Sequence, residues 1–175
     1  MENIVLVGFA GTGKTQVAHE IAGISGRKLL DTNEEIVLRQ GKSISTIKEI
    51  YGEDYFRDLE SDIITNMESI SAADPLVVAA GEGAVLREEN RECLRRMGRV
   101  FWLKASLEEI LDNIKREGSH LLMYDDLEER VREMLAERED LYRSCAQGEV
   151  HIMEREPREV AVEILNQMEN QGLEQ

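Results

Sequence analysis

The residues best placed to do chemistry are Gly8-Phe9-Ala10-Gly11-Thr12-Gly13-Lys14-Thr15, which have the form G-x-x-x-x-G-K-[ST] of a phosphate-binding loop. That spacing serves an anion. Glycines let the chain curl until successive N–H groups converge, and the helix that follows adds partial positive charge at its N-terminus. Lys14 can reach the β- and γ-phosphates of a nucleotide, and the Thr15 hydroxyl can ligate Mg²⁺. Gly11, Thr12, Gly13, Lys14 and Thr15 are therefore the expected nucleotide contacts.

Such a loop works only between a strand and a helix, and the sequence supplies both. Ile4-Val5-Leu6-Val7 is a β-branched apolar run, and Gln16 to Ala22 has helical spacing, ending near Ser25-Gly26. Further along, Arg27 to Leu30 reads as a strand delivering Asp31 at its carboxyl end, with Thr32 as the cap of a helix from Asn33 to Arg39. Ser43 caps a short helix through Ile50, stopped at Gly52, and residues 53–70 form a longer one. Pro75 breaks the chain before the buried strand Leu76 to Ala80, which runs into Gly81-Glu82-Gly83. A helix (Glu88 to Met97), a strand (Val100 to Leu103) and a helix capped by Ser106 follow. Residues 117–126 read as irregular, Leu127 to Arg143 as a helix, and Val150 to Met153 as the last strand. Pro157 opens a final helix.

Alternation of this kind gives α/β architecture, a parallel sheet covered on both faces. Ligands in such sheets sit at the carboxyl ends of strands, so Asp31, Gly81 and the phosphate loop share one crevice. Residues 1–175 are read as a single domain, with a polar tail from about residue 166. Lys and Arg number 21 against 36 Asp and Glu, a net charge of −15 without a basic cluster, which argues against nucleic acid as a partner. No apolar run approaches a membrane span, and the chain enters its first strand without a signal-like segment. Cys93 and Cys145 lack ligand spacing with the three histidines and read as free thiols. The expectation is a cytoplasmic monomer acting on a small molecule.

The order of motifs resembles the shikimate kinases over roughly residues 3–165. The loop is followed by Asp31-Thr32-Asn33, Phe56-Arg57-Asp58-Leu59-Glu60, Gly81-Glu82-Gly83-Ala84-Val85 and Arg138-Glu139-Asp140-Leu141-Tyr142. The resemblance implies the P-loop NTPase fold of the nucleoside-monophosphate-kinase-like type, three layers around a five-stranded parallel sheet, with a mobile lid at about 112–126. It implies transfer of the ATP γ-phosphate to a hydroxyl of shikimate with Mg²⁺. Asp31 would organise the metal and the attacking hydroxyl, so Lys14 and Asp31 are the expected catalytic residues and Thr15 and Asp31 the metal ligands. Arg57, with Glu60 as partner, and Arg138 would grip the acceptor carboxylate, and Pro157 would pack beside adenine.

The departures lie on the acceptor side. Asn33 stands where the family has the second acid of D-x-D, and Glu82 interrupts a run of three glycines, placing a negative charge where an anionic acceptor approaches. The lid reads Gly118-Ser119-His120-Leu121-Leu122, with Ser119 at the place of its arginine, and Asp112 falls where an adenine-stacking arginine is expected. Asn33, Arg57, Gly81, Glu82, Gly83 and Arg138 are the expected acceptor residues. Several site residues have a plainer reading: Asp31 as a cap, Arg57–Glu60 as a surface ion pair, Arg138 as part of a solvated face, Glu82 as an exposed loop residue. Two other functions remain open from sequence, a family kinase retuned to another polyol or hydroxy acid, and a catalytically weak ATP-binding regulatory module.

Overall fold

The computed structural model describes residues 1–71 and 73–172. In chain order the elements are β1 (Ile4–Val7), α1 (Lys14–Ser25), β2 (Lys28–Asp31), α2 (Thr32–Gln40), α3 (Ile44–Tyr51), α4 (Glu53–Ser71) and β3 (Leu76–Ala79). A 3₁₀ turn (Ala84–Leu86) leads to α5 (Glu88–Met97), β4 (Arg99–Lys104) and α6 (Leu107–Glu117). A second 3₁₀ turn (His120–Met123) then precedes α7 (Leu127–Cys145), β5 (Gly148–His151) and α8 (Pro157–Gly172). Residues 166–172 of the expected polar tail thus continue α8.

The five strands form one parallel sheet in the order β2-β3-β1-β4-β5. β1 and β3 are buried along their whole length, as β-branched runs in the middle of a two-faced parallel sheet must be. Alternate strand residues feed two separate cores. Ile4, Leu6, Val77, Ala79, Phe101 and Leu103 pack under α1 and α8, whereas Val5, Val7, Val78, Val100 and Trp102 pack on the opposite face under α4, α5, α6 and α7. Three layers result.

Local chemistry sets the helix ends. Ser106 makes a reciprocal capping box with Glu109, and Ser43 caps α3 through the Thr46 N–H. Two expectations need correction. Asp31, not Thr32, caps α2: its Oδ1 accepts from the Asn33 and Glu34 N–H groups at 2.9 and 3.2 Å. Thr32 is instead buried, and its hydroxyl accepts from the Gly81 N–H at 2.8 Å, tying β2 to the loop after β3. The last strand lies two residues earlier than the apolar run suggests. β5 is an edge strand whose register with Phe101 to Lys104 is set by backbone pairing, so only Val150 needs to be buried.

Candidate functional site

β1 ends at Val7, and the chain wraps from Gly8 to Gly13 before α1 begins at Lys14. Gly11 has φ +76°, and a Cβ there would lie 3.0 Å from the Ile110 carbonyl oxygen, so the loop and α6 approach through a missing side chain. The Asn113 amide donates to the Gly11 carbonyl at 2.7 Å and Thr12 Oγ1 to the Phe9 carbonyl at 2.8 Å, which fixes the curl. Lys14 Nζ is folded back on the Gly8 and Phe9 carbonyls, 2.8 Å from each. Burial brings its pKa down from 10.5 to about 8, against the opposing pull of the Glu82 and Asp31 carboxylates. These influences also show that the loop lysine, Asp31, Glu82 and Arg138 face one space.

Asp31 has two jobs. While Oδ1 caps α2, Oδ2 accepts from the Thr15 hydroxyl at 2.7 Å. The capping reading therefore holds for this residue, and its second carboxylate oxygen stands beside the Thr15 hydroxyl. The hydroxyl and carboxylate are hard oxygen donors side by side at the mouth of the loop, and this pair suits Mg²⁺, which takes few protein ligands and fills its shell with phosphates and water. No cluster of three or more His, Cys, Asp or Glu among the described residues could hold a metal unaided. The fit is to a cation arriving with its nucleotide.

A cleft of about 590 Å³ opens from the loop between α1, the end of α6 and the start of α8. Thr12, Gly13, Asn113, Arg116, Arg155 and Pro157 are among its walls. Asp112 is exposed and does not line it; Asn113 does, and Arg116 from the last turn of α6 is the cation there that stands toward the lid. Ser119 caps the lid's 3₁₀ turn through the Leu121 N–H at 3.3 Å. A larger cavity of about 730 Å³, walled by Met1, Pro75, Gly98 and Arg99, opens at the amino ends of the strands and holds none of the motif residues. Ligands in parallel sheets belong at the other end.

The acceptor-side residues converge beside the loop, and Arg57, Glu82 and Arg138 among them are buried. Arg57 is 6% exposed, Arg138 5% and Glu82 8%. Arg57 donates to Glu60 at 2.8 Å and, from Nε and Nη2, to Glu53 at 3.0 and 2.7 Å. Its guanidinium lies across Gly83, where a Cβ would collide with it, so a side chain there would have to displace the arginine. Arg138 Nη1 donates to Glu82 Oε2 at 2.5 Å, and Glu82 Oε1 lies 3.9 Å from Arg57 Nη2 and 4.0 Å from His120 Nε2 of the lid. Tyr142 donates to the Glu82 carbonyl at 2.5 Å and pins its backbone. Asn33 Oδ1 faces Gly81. The surface readings of Arg138 and Glu82 are therefore wrong: both are buried and paired.

Electrostatics keep Glu82 and Arg57 charged. Burial opposes ionisation of Glu82, but Arg138 and Arg57 outweigh it and hold the carboxyl below its usual range. Burial likewise works against the Arg57 charge, and Glu60 and Glu82 more than offset it, raising its pKa. For Glu60 burial prevails over Arg57 and pushes the carboxyl up. His120 is pushed below 6.5, mainly by burial and secondly by Lys48. Removing one partner of a buried pair costs about 3–5 kcal/mol, so Glu82 is not an idle loop side chain.

Sequence reasoning missed several members. Lys48 on α3 lies 3.3 Å from Glu53 and 4.6 Å above the Phe56 ring, and nothing in its surroundings in sequence signals that. Glu53 could have been found, four residues before Arg57 on one helix face. The Phe9 ring, 5.8 Å beneath the Arg138 guanidinium, joins the phosphate loop to the acceptor cluster.

A phosphate loop at the carboxyl edge of a β2-β3-β1-β4-β5 parallel sheet, next to a buried carboxylate-and-arginine cluster, defines a P-loop phosphotransferase. The sequence profile described as Shikimate kinase matches residues 10–169. Shikimate kinase from Symbiobacterium thermophilum is 36% identical over 173 residues, covering 97% of this chain and 98% of that relative. Shikimate kinase from Caldanaerobacter subterraneus subsp. tengcongensis is 39% identical over 166 residues, covering 94% and 95%. Among solved structures, shikimate kinase from Acinetobacter baumannii in complex with shikimate matches with a TM-score of 0.91 at 32% identity, covering 98% of this chain and 94% of that one. A gluconokinase from Sinorhizobium meliloti 1021, with a TM-score of 0.63 at 19% identity, shares the fold alone. The chain belongs to the shikimate kinase family and is an ATP-dependent small-molecule phosphotransferase. No helix among the described residues is long and apolar enough to cross a membrane.

Proposed function

We propose that the acceptor is shikimate, phosphorylated on a hydroxyl by ATP with Mg²⁺, and that the chain acts as a cytoplasmic monomer. The observation that carries this reading is the position of two buried arginines, Arg57 and Arg138, beside the phosphate loop, in a family whose solved members include a shikimate complex. Phosphoryl transfer is mainly positioning and charge neutralisation, and each part has a residue. Lys14 leaves the Gly8 and Phe9 carbonyls for the β- and γ-phosphates, which lose nothing by exchanging a neutral partner for a charged one. Gly11, Thr12, Gly13 and Thr15 present backbone N–H groups to the same phosphates, while Pro157 and Arg116 flank the base.

Thr15 and Asp31 would hold Mg²⁺, which neutralises charge on the phosphates during transfer. The acceptor hydroxyl oxygen bonds to the γ-phosphorus, the bond from that phosphorus to the β,γ-bridging oxygen breaks, and ADP leaves. Asp31 orients the hydroxyl, and the hydroxyl proton leaves to water. Asn33 accepts from a neighbouring hydroxyl, Gly81 and Gly83 let the ring approach the backbone, and Arg57 and Arg138 hold the carboxylate. The test is phosphorus NMR of protein incubated with ATP, Mg²⁺ and shikimate. A new phosphomonoester signal that grows with loss of the γ-phosphate signal is expected. ATP bound but unconsumed under those conditions refutes the acceptor.

A further inference from the structure

Glu82 sits where the acceptor's carboxylate is expected. Its Oε2 accepts from Arg138 and its Oε1 is 3.9 Å from Arg57, so one internal carboxylate spans both arginines. The surrounding charges are already matched. Arg57, Arg138 and Lys48 face the carboxyls of Glu53, Glu60 and Glu82. Without Glu82 the pocket would hold a surplus of positive charge, and a carboxylate ligand would restore the balance. Glu82 therefore supplies from within the chain what an acidic acceptor supplies from outside. It does not repel the acceptor from a loop edge, as its place between two glycines suggests.

Two further observations fit a side chain that can be exchanged. Tyr142 holds the Glu82 backbone through the carbonyl, so the side chain can rotate without moving the loop. Arg138 Nε is buried with no hydrogen-bond partner among the described residues, a donor that Glu82 leaves unused. A buried guanidinium edge without an acceptor is costly, and a ligand larger than one side-chain carboxylate can satisfy it.

We infer that Glu82 is an internal occupant of the Arg57–Arg138 site and a specificity-determining residue: a carboxylate acceptor binds only when Glu82 has left the arginines. The inference rests on the reading that these arginines hold the acceptor's carboxylate. Its effect is on apparent affinity, which falls by the fraction of molecules whose site is open. If Glu82 is off the arginines less than about a tenth of the time, acceptor affinity is reduced about tenfold or more. Nucleotide affinity changes far less, because Glu82 is not a wall of the nucleotide cleft and reaches Lys14 only through its field.

The experiment is calorimetric titration of wild type, Glu82→Gly and Glu82→Gln with shikimate and, separately, with ATP. Glutamine keeps the size of the side chain and an acceptor for Arg138 but removes the charge. Both variants should bind shikimate at least about tenfold more tightly than wild type, with ATP affinity within about twofold. Unchanged or weaker shikimate binding in variants that still bind ATP overturns the inference. Should both variants lose ATP binding through misfolding, the crystal structure of the wild-type shikimate complex decides. Glu82 swung off the arginines supports the inference, and Glu82 still on both arginines overturns it. If shikimate binds no form of the protein, the acceptor reading itself has failed, and cyclohex-1-enecarboxylate, a ring bearing the carboxylate alone, becomes the probe. Binding to Glu82→Gln at least about tenfold tighter than to wild type supports occupancy by Glu82, and equal binding or none overturns it.

Discussion

At the phosphate loop most of the fixing contacts are short in sequence: Thr12 reaches Phe9, and Lys14 reaches Gly8 and Phe9, with the Asn113 amide on the Gly11 carbonyl as a long-range brace. In the acceptor cluster they are long, with Arg138 and Tyr142 meeting Glu82 across separations of 56 and 60 residues. The first region is built mostly from its own eight residues between a strand and a helix, braced by α6. The second exists only once β3, α4 and α7 have been packed together. In the proposed assignment the loop handles the nucleotide and the chemistry, and the long-range cluster decides which acceptor is admitted. Perturbations should therefore separate cleanly, with the loop side changing nucleotide binding and turnover, and the cluster changing acceptor KM alone.

The largest expected effect is on the loop side. Lys14→Ala removes the charge aimed at the β- and γ-phosphates and should lower kcat/KM by on the order of 10³, with most affinity for the triphosphate lost in calorimetry. Equal ATP affinity in that variant would detach Lys14 from the nucleotide. Asp31→Asn comes next. Asparagine caps helices as well as aspartate does, so α2 should survive and the melting temperature stay within a few degrees, while kcat drops by about 10². ATP affinity should change by no more than about twofold. An unaltered kcat would leave Asp31 with its capping duty alone.

On the acceptor side, Gly83→Ala drives a Cβ into the Arg57 guanidinium. The arginine must move, and acceptor KM should rise about tenfold or more with ATP KM unchanged. A parallel rise in ATP KM would show that the two regions are not separable. The pH profile sharpens the same contrast. Lys14 in the free protein titrates at about 8 because burial disfavours its charge, and triphosphate favours that charge. Below pH 8 the ammonium is present in both free and bound protein, so ATP affinity is flat. Above pH 8 the free protein has lost the proton that the complex keeps, so binding takes one up and weakens, by about tenfold at pH 9 relative to pH 7. Calorimetry in buffers of different ionisation enthalpy reads the uptake, and pH-independent ATP binding up to pH 9 would contradict it.

This contrast also explains what the sequence reveals and what it hides. The loop, the order of elements and the caps at Ser43 and Ser106 are legible because each depends on residues within one turn of its own position. Asp31, Arg57, Gly81, Gly83 and Arg138 can be picked out, yet their burial cannot: a helix as charged as Leu127–Cys145 looks solvated until Arg138 is seen beneath it. Glu82 can be placed at the crevice from its position between two glycines, but its pairing cannot, because the arginines that bury it lie in other helices. Lys48 gives no sign at all. The one-residue shift of the α2 cap from Thr32 to Asp31 has a similar origin, since Thr32 is recruited by the distant Gly81 N–H.

The central claim is that the acceptor is gripped through a carboxylate by Arg57 and Arg138, next to a loop that delivers phosphate. It is tested most directly by kcat/KM of the wild-type protein for shikimate against the analogue in which the carboxylate is reduced to a primary alcohol. The charged acceptor should be preferred by at least about tenfold, the least that a charge-assisted pair of arginine contacts confers. An alcohol used as well as shikimate, or better, would contradict it.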